Sequence, residues 1–189
     1  HDALPIWPPP GEVWSVSQSG QGVHDLKGRH LVVPRTLCFV THGDDVLLLR
    51  GAPEKRLWPN RYNGVGGHVE PGEDVRTAAL REIREETGLE AAELRLRGIA
   101  HVHVEPGAPG VMLFIFTAVA TQRRVRESTE GTLTWVPHGR IEALDLVEDL
   151  PAILPRVLSM APGAPPFFAH YRYDQEGELI IRFARRQKP

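Results

Sequence analysis

Glu82, Glu85 and Glu86 stand close together in this chain, and their spacing sets the chemistry to consider first. On a helix, residues three and four apart share a face, so all three carboxylates project to one side. Like charges at that spacing destabilise a free helix by about 0.2–0.5 kcal/mol per pair. A divalent cation turns that repulsion into ligation, and an oxygen-only donor set favours Mg²⁺, or Mn²⁺, over zinc. No Cys/His spacing suited to zinc occurs. Arg81 stands four residues before Glu85 and is placed to brace it. The competing reading is an acidic helix face that is simply solvated.

The residues around the acids supply the elements that must position them. Asn63-Gly64-Val65-Gly66-Gly67 brings bare backbone toward the acids, since glycine permits close approach. Pro71-Gly72 makes a turn, and Glu73 or Asp74 caps the helix that follows and complements its positive end. Gly88 suits the left-handed residue that stops a helix. Val75, Ala79, Leu80 and Ile83 form the expected core side.

Read as one string, Gly67 to Leu89 matches the signature of the Nudix hydrolases, G-x5-E-x7-R-E-U-x-E-E-x-G-U, with Ile83 and Leu89 at the two bulky apolar positions U. The chain is therefore identified as a member of that family. The resemblance implies an α/β fold: an α/β/α sandwich with a mixed central sheet and a loop–helix–loop catalytic box. It implies hydrolysis of a nucleoside diphosphate linked to another moiety, by water attack on phosphorus. It also implies that Glu82, Glu85 and Glu86 hold the metal, with the Gly66 carbonyl as a further ligand. Either Glu82 or Glu85 orients or deprotonates the water, and Glu73 and Arg81 brace the ligands. A further acid comes from the segment before a late strand, where Glu127 and Glu130 are candidates and Glu130 is taken as the ligand. Phosphoanhydride hydrolysis needs charge neutralisation, a positioned water and a base, and carboxylates with Mg²⁺ meet all three needs.

The remaining chain reads as strands around this box. Thr36–Thr41 and Val46–Arg50 flank a His42–Asp45 turn as a hairpin, and Ala52–Arg61 is a loop that Trp58 anchors. Leu94–Glu105, Val111–Thr121 and Thr132–Val136 are strands. In the first, His101 and His103 share one side, read as a polar sheet face rather than as catalysts. A second helix starts after Asp149 and carries Ile153, Leu154, Val157 and Leu158, with Pro155 bending or confining it. Phe167–Asp174 and Leu179–Ala184 form a terminal hairpin. Residues 1–33, with a stiff Pro8–Gly11 segment and short strands at Glu12–Val16 and His30–Val33, form an N-terminal extension; residues 34–189 form the Nudix domain. A length of 189 residues suits one domain with such an extension.

Composition narrows the partners. A net charge of −2 gives no bulk attraction to a nucleic-acid polymer or an anionic membrane, so neither is expected as a partner. The longest apolar run, Val111–Ala120, is interrupted by Thr117 and too short for a bilayer. The single cysteine, Cys38, excludes an internal disulfide and favours the cytoplasm. The expected partner is a small nucleotide substrate; nothing in the sequence sets the oligomeric state.

Within the family, Arg61–Val69 resembles the Trp-Asn-Gly-Phe-Gly-Gly-Lys-Val run of the MutT-like oxidised-purine triphosphatases, such as those acting on 8-oxo-dGTP. That resemblance gives Asn63 a base contact, with a turn asparagine as the alternative. It gives Glu148 and Asp149 the base edge, with helix capping by Asp149 as the alternative. Gly67 and His68 are candidates for the phosphates. One position departs from the branch: Leu146 stands where those enzymes place a tryptophan that stacks on the base. The other readings are an ADP-ribose or dinucleoside polyphosphate hydrolase and, in a different class, a non-catalytic nucleotide sensor. The intact acidic box argues against the sensor.

Overall fold

A computed structural model describes residues 28–128 and 130–185. The expected segments at Pro8–Gly11 and Glu12–Val16 lie outside the described residues. Eight strands and two α-helices follow one another: β1 (Val32–His42), β2 (Asp45–Gly51), β3 (Tyr62–Asn63), α1 (Val75–Thr87), β4 (Ala91–His103), β5 (Gly110–Ala120), β6 (Gly131–Pro137), α2 (Leu150–Leu158), β7 (Phe167–Tyr173) and β8 (Leu179–Phe183). A short 3-10 helix, His138–Ala143, links β6 toward α2. The strands run in the order β3-β2-β1-β5-β4-β7-β8, with β6 also on β2. The sheet is mixed: β1 with β5 and β4 with β7 are parallel, and the other pairs are antiparallel. No helix among the described residues is long and apolar enough to cross a membrane.

β1 and β2 are buried on both faces over Leu37–Val40 and Val46–Leu49, so they read as continuous apolar runs. Alternation then assigns each residue a face. Cys38, Val40, Leu47 and Leu49 pack with Ala79 and Ile83 of α1. Leu37, Phe39, Val46 and Leu48 pack with Ile153, Leu154 and Val157 of α2. The helices therefore lie on opposite faces, which is the expected α/β/α sandwich. Pro155 is accommodated inside α2, and the helix is confined to nine residues.

Two local readings change. Val32 and Val33 do not form a separate strand with His30; they open β1, paired with Gly110 and Val111. Leu80 is only half-buried, and Ala78 takes its place in the buried row of α1 with Ala79, Ile83 and Thr87. A helix lying against a sheet buries a narrow arc, and position 80 falls past its edge.

β1 positions the glycine loop. It pairs with β2 only over Val40–His42. Its upstream half instead takes the loop as a partner. The Thr36 amide donates to the Gly67 carbonyl at 2.8 Å, Cys38 and Val65 exchange bonds of 2.7 and 3.1 Å, and the Val69 amide donates to the Pro34 carbonyl at 3.1 Å. β2 meanwhile diverges to pair with β6 and β3.

Candidate active site

The loop pairing leaves alternate amides facing β1 and facing α1. Val65 and Gly67 use their carbonyls on β1, while the Gly66 amide donates to Glu86 Oε2 at 3.1 Å. Gly66 holds φ +144°, and a Cβ there would collide with the Thr36 carbonyl. At Gly67 a Cβ would collide with the Glu82 carboxylate, so the bare backbone lies directly against that acid.

Helix α1 is capped as the sequence suggested, and Asp74 rather than Glu73 does it. Its carboxylate accepts from the Arg76 and Thr77 amides at 2.8 and 3.0 Å, which holds its pKa below the usual carboxylate range. Gly88 ends the helix in the left-handed region at φ 72°, its amide donating to the Arg84 carbonyl. Glu73 is freed for another partner. Arg81 donates to it through Nε and a terminal nitrogen at 3.1 and 2.7 Å, and this pairing, with the Glu70 amide, lowers the Glu73 pKa. The same guanidinium reaches Glu82 at 2.9 Å, Glu85 at 3.0 Å and the His68 carbonyl at 3.1 Å. Arg81 thus ties the two glutamates to the turn before the helix.

Glu86, like Glu82, is half-buried, whereas Glu85 is exposed. Burial pushes its pKa up to about 7, the Gly66 amide opposes that rise, and the charge of Glu82 adds to it. Glu82, Glu85 and Glu86 line one depression together with Glu127 and Glu130. Glu130 also pairs with Lys55. Among the described residues, no three such side chains are gathered closely enough to hold an ion, and Arg81 pairs with both Glu82 and Glu85. The donors are nonetheless all oxygens on one surface, the set that suits a hard divalent cation.

Beside the acids lies a cavity of about 330 Å³, lined among others by Arg35, Lys55, Trp58, Arg61, Asn63 and Glu86. A second cavity, of about 300 Å³, shares Arg35, Leu57 and Trp58 with it. Its walls are aliphatic, with Val102, Leu113 and Leu179, and its polar members include Glu148, Asp149, Tyr171 and Tyr173. The expected residues divide between these spaces. Asn63 lines the first, and its Oδ1 accepts from the Gly64 amide at 2.8 Å, which is also what a turn asparagine does. Glu148 and Asp149 line the second; Glu148 accepts from Arg61 at 3.3 Å. Asp149 begins α2 but makes no side-chain capping bond. Burial, with the charge of Glu148, pushes its pKa up to about 6. His68 has an exposed side chain, and its carbonyl is the part engaged, by Arg81.

Several residues at the cleft are not among the expected site residues. Arg35 reaches both cavities from β1. Trp58 does so from the loop, at φ 52° and packed against the α2-side core. Tyr171 and Tyr173 enter from β7. Leu146, by contrast, packs on the core and forms a backbone bridge with Tyr62. His101 and His103 sit apart, His101 Nε2 lying 2.8 Å from His30 Nε2, and neither lines the two cavities of the cleft.

Comparisons with known proteins find relatives over most of the chain. The NUDIX domain model matches residues 32–157. An uncharacterized Nudix hydrolase of Bacillus subtilis, YvcI, is 33% identical over 149 residues, covering 77% of this chain and 89% of its own. The oxidized purine nucleoside triphosphate hydrolase of Mus musculus is 30% identical over 154 residues, covering 80% and 93%. Among solved structures, a mutator MutT protein from Bacillus halodurans superposes with a TM-score of 0.64 at 25% identity, over 80% of this chain and 97% of that one.

Proposed function

The chain belongs to the Nudix family and is a pyrophosphohydrolase acting on phosphoanhydride bonds of nucleotide-type substrates, and on that premise we propose that it is a Mg²⁺-dependent nucleoside triphosphate pyrophosphohydrolase. Nucleoside monophosphate and pyrophosphate are its products, and oxidised purine deoxynucleotides such as 8-oxo-dGTP are the leading substrates. The observation that carries this reading is the adjoining pair of cavities, which share three lining residues. One combines acids with Arg35, Lys55 and Arg61; the other is aliphatic with an acid pair, and Arg35, Leu57 and Trp58 belong to both. A polyphosphate suits the first and a flat base the second, and each volume is of the size that small ligands occupy.

The roles follow from the contacts. Glu82, Glu85, Glu86 and Glu130, with the Gly66 carbonyl, would hold Mg²⁺, or Mn²⁺ in its place. The ion, when bound, neutralises phosphate charge and polarises the reacting phosphoryl group. Glu82 or Glu85 takes the proton of the attacking water, whose oxygen bonds to phosphorus as the bridging P–O bond breaks and pyrophosphate leaves. Arg81 and Glu73 hold those two acids in place. Gly67 lets the phosphate chain approach along bare backbone, with His68 beside it. Arg35 adds a cation between phosphate and base. Asn63, Glu148 and Asp149 contact the nucleoside, and Trp58 offers the aromatic surface that Leu146 lacks. The likeness to the mouse oxidized purine nucleoside triphosphate hydrolase supports the choice of substrate.

A substrate panel with Mg²⁺ tests the reading. Nucleoside triphosphates should be cleaved to monophosphate and pyrophosphate, with oxidised purines preferred. A clear preference for ADP-ribose or diadenosine polyphosphates would overturn the branch, and binding without turnover of any of them would make the protein a sensor.

A further inference from the structure

His30, His101, His103 and His170 gather on one face of the sheet, and none of them lines either cavity of the cleft. Ala100 and Val102 of β4 turn toward the α2-side core, so alternation sends His101 and His103 to the opposite face. His170 of β7 stands in register beside His101. His30, just before β1, reaches over β5 to the same place. Its ring centroid lies 4.8 Å from that of His101 and 5.8 Å from that of His103, and the His101 and His170 centroids are 5.4 Å apart. Because β5 lies between β1 and β4 in the sheet, no spacing along the chain announces the group.

The closest approach is between nitrogens. Nε2 of His30 and Nε2 of His101 are 2.8 Å apart. A single proton fits between them, so within the protein alone one ring donates and the other accepts. Two nitrogens bound to one ion at about 2.0–2.1 Å lie about 2.9–3.4 Å from each other, so nearly the same placement suits a shared cation. The floor beneath them is bare backbone. A Cβ on Gly110 would stand 2.8 Å from His30 Nε2 and 3.0 Å from His101 Nε2, as well as 2.9 Å from the Val102 carbonyl. Among the described residues no carboxylate pairs with any of the four rings, so no acid holds them as cations. Burial first, then the charges of His30, His170 and His103, lowers the pKa of His101 and favours the neutral form that ligates metals.

We propose that His30 and His101 chelate a divalent transition-metal ion of the Zn²⁺, Ni²⁺ or Cu²⁺ class through their Nε2 atoms, with water completing the coordination. No third ring converges on the same point among the described residues, so the protein supplies two ligands. Imidazole selects these ions over Mg²⁺, which prefers oxygen donors. The site is therefore separate from the acids of α1 in both place and chemistry. The bound ion links the residue before β1 to β4 across β5, and so fastens the start of β1, where Val32 and Val33 are exposed.

Calorimetric titration of Ni²⁺ into the full, untagged chain tests this, with excess Mg²⁺ present to fill any oxygen site. One ion should bind per chain, and His30→Gln and His101→Gln should each weaken binding about 100-fold. His30 is exposed and precedes the sheet, so its substitution leaves the fold intact even if that of His101 does not. His138→Gln, on the 3-10 helix, should bind as the wild type does. With Cu²⁺ in place of Ni²⁺, electron paramagnetic resonance should show two imidazole nitrogens on the ion in the wild type and one in His30→Gln. No binding tighter than about 1 mM, or an affinity and spectrum unchanged in His30→Gln, overturns the inference and leaves the pair as a hydrogen bond. An equal loss in His138→Gln overturns it as well.

Discussion

Arg81 braces the acids on α1 and Tyr171 lines the aliphatic cavity, and their polar atoms are treated differently. Arg81 is surrounded by acceptors: Glu73, Glu82, Glu85 and the His68 carbonyl. Glu86 has the Gly66 amide, and Glu130 has Lys55. At the other end the Tyr171 hydroxyl has no partner, and Asp149 is buried without capping its helix. The acidic end is pre-organised by the protein's own ion pairs, so a cation arriving there must compete with Arg81. The apolar end is organised by packing. On the proposed reading, one end holds charge in place during chemistry and the other receives the base.

The largest effect that distinguishes the ends comes from Glu86→Gln. The substitution keeps the shape and removes the ligand charge. It should lower kcat by about 10²–10⁴-fold, the range in which loss of a metal or acid–base group falls. Because Glu86 is enclosed and its charge is disfavoured by burial, the metal-free variant should be at least as stable as the wild type. Thermal melts and steady-state kinetics on one preparation check both halves. Near-normal turnover would remove Glu86 from the metal set.

A smaller effect is expected at Gly67→Ala. The new Cβ would meet the end of the Glu82 side chain, which is flexible, so the carboxylate swings away from Arg81 and the fold persists. The kcat should fall about 10–100-fold with a change in Tm of only about 2 °C. Gly66→Ala is the control, because there the obstacle is the Thr36 backbone and φ is positive. It should fail to fold or melt far lower. If Gly67→Ala proves silent, Glu82 tolerates displacement and Glu85 is left as the base.

The same contrast explains what the sequence revealed. The acidic end is local: Glu73, Arg81, Glu82, Glu85 and Glu86 lie on one turn and one helix, so spacing alone gathers them. Gly66 joins them because β1 pairs with the next loop. The strands around it are legible because each is a short local apolar run, as is the terminal hairpin of β7 and β8. The apolar end is assembled from β1, the loop at 57–58, β4, β5, the start of α2, β7 and β8. No periodicity marks Arg35 or Tyr171 as neighbours of Asp149. Trp58 reads only as a loop anchor because its positive φ, which turns it into the cleft, belongs to a residue type that rarely adopts it. The resemblance supplied Asn63, Glu148 and Asp149, and spacing alone supplied none of them. Leu146 shows the limit of such transfer, since it packs into the core while the aromatic surface comes from another segment.

The smallest effect addresses how dry the apolar end is. Asp149 has its pKa pushed up to about 6 by burial first and the charge of Glu148 second, against an ordinary value of 3.8. Between those two values the folded chain holds a proton that the unfolded chain has released. The group therefore favours the fold fully below about pH 4, and that contribution is lost as pH rises through 6. Asp149→Asn never ionises. Its stability relative to the wild type should be flat below pH 4, climb between pH 4 and 6, and level off at a gain of about 3 kcal/mol. Denaturant melts of the ligand-free proteins at pH 4, 5, 6 and 7 measure the difference directly. A difference independent of pH would mean that Asp149 is hydrated in the free protein. The two ends of the cleft would then differ in charge alone and not in how far they exclude water.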